Sequence, residues 1–335
     1  MVKRIISKVV IAIVLLVILT ISVVLYMVHR RTPHFISPLV MLSPSGQELG
    51  IIVGSLWRKG ASPSADPIES QAYVIKLEDG LVQAKSISGT EAVLAMAWRP
   101  GISPPELFAA ASPPGKPNHL FAVSVSDAVS TKFSRILPSG LIVGSMIWDP
   151  SGNTLAARVL DDKGFHLAIS YDEGKTFSIT DIACSDGRRV WTDNRTLYVQ
   201  DGNDILEIDV GDGKIREKGT FASGEDIFLV GNLDGRVVYT LGDEIYCDDK
   251  LLYTTSRKVK QILADGSYLA FKEDGHVITL DDRGNVIHKK NIDDDTFLVA
   301  LSSAQKYVFL LKNFKTIERY SFVDSNKVLT VYQVK

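Results

Sequence analysis

Cysteine is nearly absent from this chain. Cys184 and Cys247 lie far apart, with no CxxC pair and no Cys/His spacing. That excludes a disulfide framework and the usual zinc sites, and leaves two small hydrophobes. An excess of one charge is also missing. With 39 acidic and 37 basic side chains, the net charge is -2 over 335 residues. No general basic field draws the chain to nucleic acid or anionic lipid. Nucleophile-elbow GxSxG and zinc-binding HExxH sequences do not occur. Gly174-Lys175-Thr176 imitates the end of a phosphate-binding loop, but Ile169 stands where its first glycine belongs and a strand pattern follows instead of a helix. The six histidines are scattered. The acidic runs 161–162, 248–249, 281–282 and 293–295 do not fit a calcium loop and read as solvated turns.

One long apolar run is present, at residues 9–28, rich in Ile, Val and Leu and softened only by Thr20, Ser22 and Tyr26. At about 1.5 Å per residue it is long enough to span a hydrocarbon core of about 30 Å. It is longer than a cleaved signal peptide needs, and no Ala-x-Ala follows. The expectation is an uncleaved signal anchor over residues 1–31, with a transmembrane helix at about 9–28. Lys3, Arg4 and Lys8 precede it, and Arg30 and Arg31 follow. That slight excess puts the N-terminus in the cytoplasm and the bulk of the chain in the periplasm or outside the cell. Residues 32–37 read as a tether.

From residue 38 onward no long amphipathic helical period occurs. Short alternating or β-branched runs recur instead, punctuated by Gly, Asp, Asn and Pro. Two pieces repeat in fixed order. The first is an apolar anchor, a polar turn and a strongly apolar strand, at 42–53, 98–111, 148–159, 191–199, 230–241, 263–271 and 301–311. The second is a hairpin with an acidic or glycine turn, at 73–80, 120–127, 166–174, 205–213, 244–249, 276–285 and 317–326. Seven units of four short strands predict an all-β chain, a seven-bladed β-propeller over 38–335. Six or eight blades would follow from cutting the weak fifth and sixth units differently. A β-sandwich does not account for seven copies in one order.

In such a ring, connections within strand pairs one–two and three–four share a rim. The two–three connections and the blade linkers share the other. The longest excursions, 56–70 and 112–118, are both two–three connections. The first carries Trp57, Arg58 and Lys59; Arg188 and Arg189 fall in a linker on the same side. These five residues form the candidate binding rim, because long loops on a rigid scaffold carry much of binding. Arg257, Lys258 and Lys260 form a second basic group near a linker, and Asn194-Arg195-Thr196 is a glycosylation sequon.

The sequence Ser170-x-Asp172-x-Gly174-x-Thr176-Phe177 resembles the Asp-box turn of sialidases and other propellers, with Phe where Trp is usual. The resemblance implies a structural turn at the blade periphery, away from an active site. Trp148-Asp149-Pro150-Ser151-Gly152 and Ser43-Pro44-Ser45-Gly46 resemble turns of WD-repeat and TolB-like propellers. Sialidase chemistry implies three clustered arginines, a Tyr/Glu nucleophile pair and an acidic group. Arg31-Thr32-Pro33 lies in the tether, and the spacing of Arg99, Arg158, Arg188, Arg189 and Arg195 picks out no triad. No catalytic residue, metal ligand or cofactor site is therefore assigned. The reading is a membrane-anchored, extracytoplasmic module that binds or scaffolds a protein or a glycan. The alternative is a hydrolase or lyase acting on a glycan or peptide in the propeller funnel.

Overall fold

The computed structural model describes residues 34–54, 70–78, 81–87, 92–112, 115–125, 129–184, 188–259, 261–313, 316–323 and 328–333. These form seven four-stranded sheets, each a simple meander of consecutive antiparallel strands. The first strands of the blades are β1 (His34–Leu42), β5 (Val93–Arg99), β9 (Ile142–Trp148), β13 (Arg189–Trp191), β17 (Ile227–Leu233), β21 (Ile262–Asp265) and β25 (Thr296–Ser302). Each packs beside the first strand of the next blade, and β25 packs beside β1. They surround the central axis, and the ring is closed. The chain is a seven-bladed propeller.

The expected transmembrane segment at 9–28 lies outside the described residues. Among those described, no helix is long and apolar enough to cross a membrane. The first strand opens at His34, so residues 34–37, expected as tether, are already strand.

The apolar second strand of each unit has a direct physical reason: it is covered on both faces. On β6 (Glu106–Ala111), Leu107, Ala109 and Ala111 pack toward the first blade, while Phe108 and Ala110 pack toward the third. On β26 (Tyr307–Lys312), Phe309 and Leu311 face the first blade and Val308 and Leu310 the sixth. A strand buried on both faces loses the polar half of its alternation. The seven core clusters are the seven blade junctions. Phe108, Phe271 and Phe309 are fully enclosed in them, and each contributes about 1.5–3 kcal/mol by burial. Outer strands such as Lys214–Ser223 and Val286–Asn291 carry lysines and mostly exposed side chains, which discourages edge-to-edge pairing.

The first strands are irregular where they turn around the axis. Their pairing with the second strands skips Leu94, Gly144, Val230 and Val299. Such bulges sharpen local twist. β13 and β21 are too short to need one, with three and four residues.

Candidate functional site

The loop at 170–177 and the candidate binding rim both fall, in whole or in part, among the described residues. The packing of the blades also leaves a groove at the axis.

The loop at 170–177 is closed by its own polar groups. The Asp172 carboxylate accepts from the Thr176 amide (2.9 Å), the Thr176 hydroxyl (2.9 Å) and the Ser170 hydroxyl (2.9 Å). Ser170 Oγ accepts from the Gly174 amide at 2.8 Å. Glu173 and Gly174 take positive φ of 61° and 75°. Phe177 packs against the core between the second and third blades. Burial alone would raise the Asp172 carboxyl, but the bonds from Thr176, Ser170 and Lys175 outweigh it and hold it below the usual carboxylate range. Asp193 and Asp281, in turns of other blades, are lowered by the same balance of burial against hydrogen bonds. The turn also reaches its neighbour: Arg99 Nη1 binds Glu173 at 2.6 Å and Glu106 at 3.4 Å, while Lys132 holds Glu106 at 2.6 Å. The role of the 170–177 turn is thus local closure plus docking on the second blade.

Asp172→Ala leaves those donors unpaired and is expected to cost roughly 1–3 kcal/mol. A lowered carboxyl stabilises the fold above its unfolded pKa of about 3.9, and that stability is lost as pH falls through the folded value. Acidifying from about pH 5 to about pH 2 should therefore lower the Tm of the natural protein more than that of Asp172→Ala. Equal losses in a calorimetric series would contradict the turn geometry.

Of the candidate rim, Trp57, Arg58 and Lys59 lie outside the described residues. Arg188 and Arg189 are not neighbours on a solvated surface. The Arg188 guanidinium lies 3.1 Å from the centre of the Phe228 ring, and its Nη1 donates to the Leu229 carbonyl at 3.4 Å. Arg189 turns between the third and fourth blades and is only 7% exposed. Its Nη2 donates to Ser145 Oγ at 2.9 Å and its Nη1 reaches Cys184 Sγ at 3.5 Å. Burial pushes the Arg189 guanidinium below its ordinary pKa. The basic group at 257–258 is paired, Arg257 with Asp274 at 2.6 Å and Lys258 with Asp226.

The groove opens at the axis on the rim of the one–two turns, opposite the long loops. It encloses about 600 Å³ between the third and sixth blades. Trp148, Arg189, Trp191 and Val230 line its walls, with Asp234 and Asp265 at the turns. It lies where β13 and β21 are shortest. Hydrogen bonds between neighbouring turns frame it. Asn232 Nδ2 donates to the Trp191 carbonyl (2.7 Å), Ser151 N to Asn194 Oδ1 (3.0 Å), and Asp234 N to the Gly266 carbonyl (2.9 Å). Both carboxylates take part: Ser267 donates to Asp234 at 3.1 Å and the Ser303 amide to Asp265 at 2.7 Å. Trp98, Trp148 and Trp191 stand at or next to the last position of the first strands of three successive blades. Trp98 Nε1 donates to the Met41 carbonyl of the preceding blade at 3.0 Å. Trp148 Nε1 and Trp191 Nε1 have no acceptor among the described residues. Loop length missed this groove. The recurring Trp at the end of the first strand is the sequence signal that points to it.

No family model matches the chain, and no curated protein does. Solved structures do. A chain of a mitotic checkpoint complex superposes with a TM-score of 0.51 at 14% identity, covering 72% of this chain and 78% of that one. The acylaminoacyl peptidase bound to a chloromethyl ketone superposes with a TM-score of 0.61 at 12% identity, covering 90% of this chain. The match spans about half of the peptidase, 52% of its length. At these identities the likeness is one of fold, shared by a protein of an assembly and by an enzyme.

Proposed function

We propose that this chain is a binding module, held on the outer side of a membrane by residues 1–31, that takes a segment of a partner protein into the axial groove. The observation that carries the proposal is the groove itself. Its volume is within the range of ligand sites, about 300–1,000 Å³. Its walls are largely apolar, and among its described lining residues are no His, Lys, Glu, Cys or Ser. The two lining carboxylates are engaged in bonds that hold the blades together. Such a surface offers shape, apolar contact and a few fixed polar groups. The loop at 170–177 we assign as an Asp-box turn with a structural role, on its residue pattern and its closed hydrogen bonding. The anchor rests on the length and composition of 9–28.

Affinity capture from solubilised membranes tests the reading through a set of variants. Pro150→Arg with Thr192→Arg places two long cations at the groove mouth and should abolish capture of whatever the natural chain retains. Replacing residues 56–70 by a short Gly-Ser link should leave capture intact. The opposite pattern would move the site to the long-loop rim. Removing residues 1–31 should give a water-soluble, β-rich protein that still binds, since β1 begins at His34. A product that stays in the membrane fraction would overturn the assigned anchor.

A further inference from the structure

We infer that the junction of the fourth and fifth blades carries a binding niche for a primary alkylammonium, with the hydroxyl oxygens of Tyr198 and Tyr239 as acceptors and Asp248 and Asp249 as counter-charges. None of these residues lines the axial groove, so the niche is separate from the binding site proposed there. It is built on a row of rings that bridges the two blades. Tyr198 of β14 (Thr196–Asp201) meets Phe221 edge-on at 4.9 Å. Phe221 meets Tyr239 of β18 (Arg236–Leu241) at 6.0 Å, and Tyr239 stacks on Tyr246 at 5.2 Å. All four belong to one core cluster. Tyr198 and Tyr239 are only 9% and 8% exposed. Their hydroxyl oxygens still reach the surface, for neither is among the enclosed polar atoms without a partner. Neither hydroxyl makes a hydrogen bond among the described residues. Tyr246 and Tyr320, by contrast, donate theirs to Glu244 and Glu318. Two enclosed rings therefore present nothing but their polar tips.

The charge around the two tips is negative. Burial first, then Glu207, Asp248, Asp193 and Asp249, push the Tyr198 phenol up to about 12. Burial first, then Asp249 and Asp248, raise Tyr239. One turn thus acts on both phenols and keeps both neutral. Asp248 is fixed in that turn, where its Oδ1 accepts from the Val237 amide at 3.0 Å. Glu207 is already matched by Lys218 at 2.7 Å, which shows that an ammonium is accommodated on this side of the blade. Asp193 is spent on the amides of Arg195 and Thr196. Asp248 and Asp249 make no ion pair among the described residues. Two carboxylates and two phenol oxygens therefore remain as acceptors. A neutral phenol still accepts an N–H, and an ammonium brings three donors and no acceptor. Its compact head suits acceptors spread over two blades better than the planar fork of a guanidinium does. Such a group comes either from a lysine side chain of another protein or from a free small amine.

The test uses the full chain and small chloride salts at constant ionic strength, read by thermal unfolding and titration calorimetry. N-acetyl-lysine methylamide carries the ammonium on a peptide unit, and butylammonium carries it free. Tetramethylammonium has the charge but no N–H. At least one of the first two should raise Tm by roughly 2–4 °C at ten times its Kd, and the tighter of them marks the source. Tetramethylammonium should have a much smaller effect. Asp248→Asn with Asp249→Asn keeps a side-chain oxygen for the Val237 amide and removes the charge, so Kd should weaken roughly 10-fold. Tyr239→Phe keeps the ring and removes the hydroxyl, and should weaken Kd roughly 3- to 10-fold, the equivalent of one hydrogen bond. If the double Asn variant does not fold, Tyr239→Phe and Tyr198→Phe decide. No response to either ammonium, an equal response to tetramethylammonium, or an unchanged Kd in a folded variant would each overturn the niche.

Discussion

Gly152→Ala is expected to lower stability by about 2–5 kcal/mol, a large part of the 5–15 kcal/mol that holds a typical fold. Two effects add. Gly152 sits at φ +71° in the first turn of the third blade, where an L side chain is strained by about 1–2 kcal/mol. A Cβ there would also lie closer than 3.0 Å to the Pro100 carbonyl oxygen of the second blade. Pro100 is main chain in a tight turn and cannot swing aside as a flexible side chain could, so the blades must part. That adds a clash of about 1–3 kcal/mol. Parting them also endangers the 2.7 Å bond from Arg99 Nε to the Gly152 carbonyl, and with it the pairing of Arg99 to Glu173. Gly213→Ala is the control. It has a similar φ of +68° but nothing within 4 Å, so only the conformational strain of about 1–2 kcal/mol applies. Urea midpoints should separate the two variants clearly. Coincident midpoints would mean that the second and third blades do not approach each other as described.

The ring was legible in the sequence because its second strands advertise themselves. Leu155–Asp161 and Tyr307–Lys312 are apolar at consecutive positions for one reason: a blade lies on each side. The acidic and glycine turns mark the hairpins, because positive φ recurs there at Asp212, Gly213, Asp248 and Gly284. The groove was not legible. Its walls come from the first strands and turns of four separate blades, between Ile147 and Gly266, and it lies where β13 and β21 are short. Strand length at the axis has no local signature. Arg189 misled for a related reason. Two adjacent arginines after a turn normally read as solvated, yet alternation along β13 sends Arg189 and Trp191 to one side and Val190 to the other. A two-residue period decides which arginine is buried, and the turn before it hides where that period starts.

Phe309→Ala should open the ring at one defined place. Every blade is built from four consecutive strands, the last ending with β28 (Val328–Gln333). Among the described residues, no strand from the start of the chain completes the seventh blade. Closure therefore depends on side chains and turns rather than on a shared sheet. The closing core joins Val40, Leu49, Ile51, Ile75 and Leu77 of the first blade to Val299, Ala300, Phe309, Leu311 and Ile317 of the seventh. Phe309 has no exposed surface, and truncation to Ala in such a core costs about 3–5 kcal/mol. Phe271→Ala is the matched comparison. Its ring is equally enclosed, but between the fifth and sixth blades, whose neighbours on both sides are joined by continuous chain. Both variants lose comparable burial, yet they should fail differently. In native-state hydrogen exchange, Phe309→Ala should release the amides of the first and seventh blades ahead of the rest, because losing that junction lets the ends of the chain part. Phe271→Ala should lower protection around the fifth and sixth blades without freeing the first. If Phe309→Ala instead loosens all seven blades together, the ring unfolds as one cooperative unit and the junction between its ends is no weaker than any other.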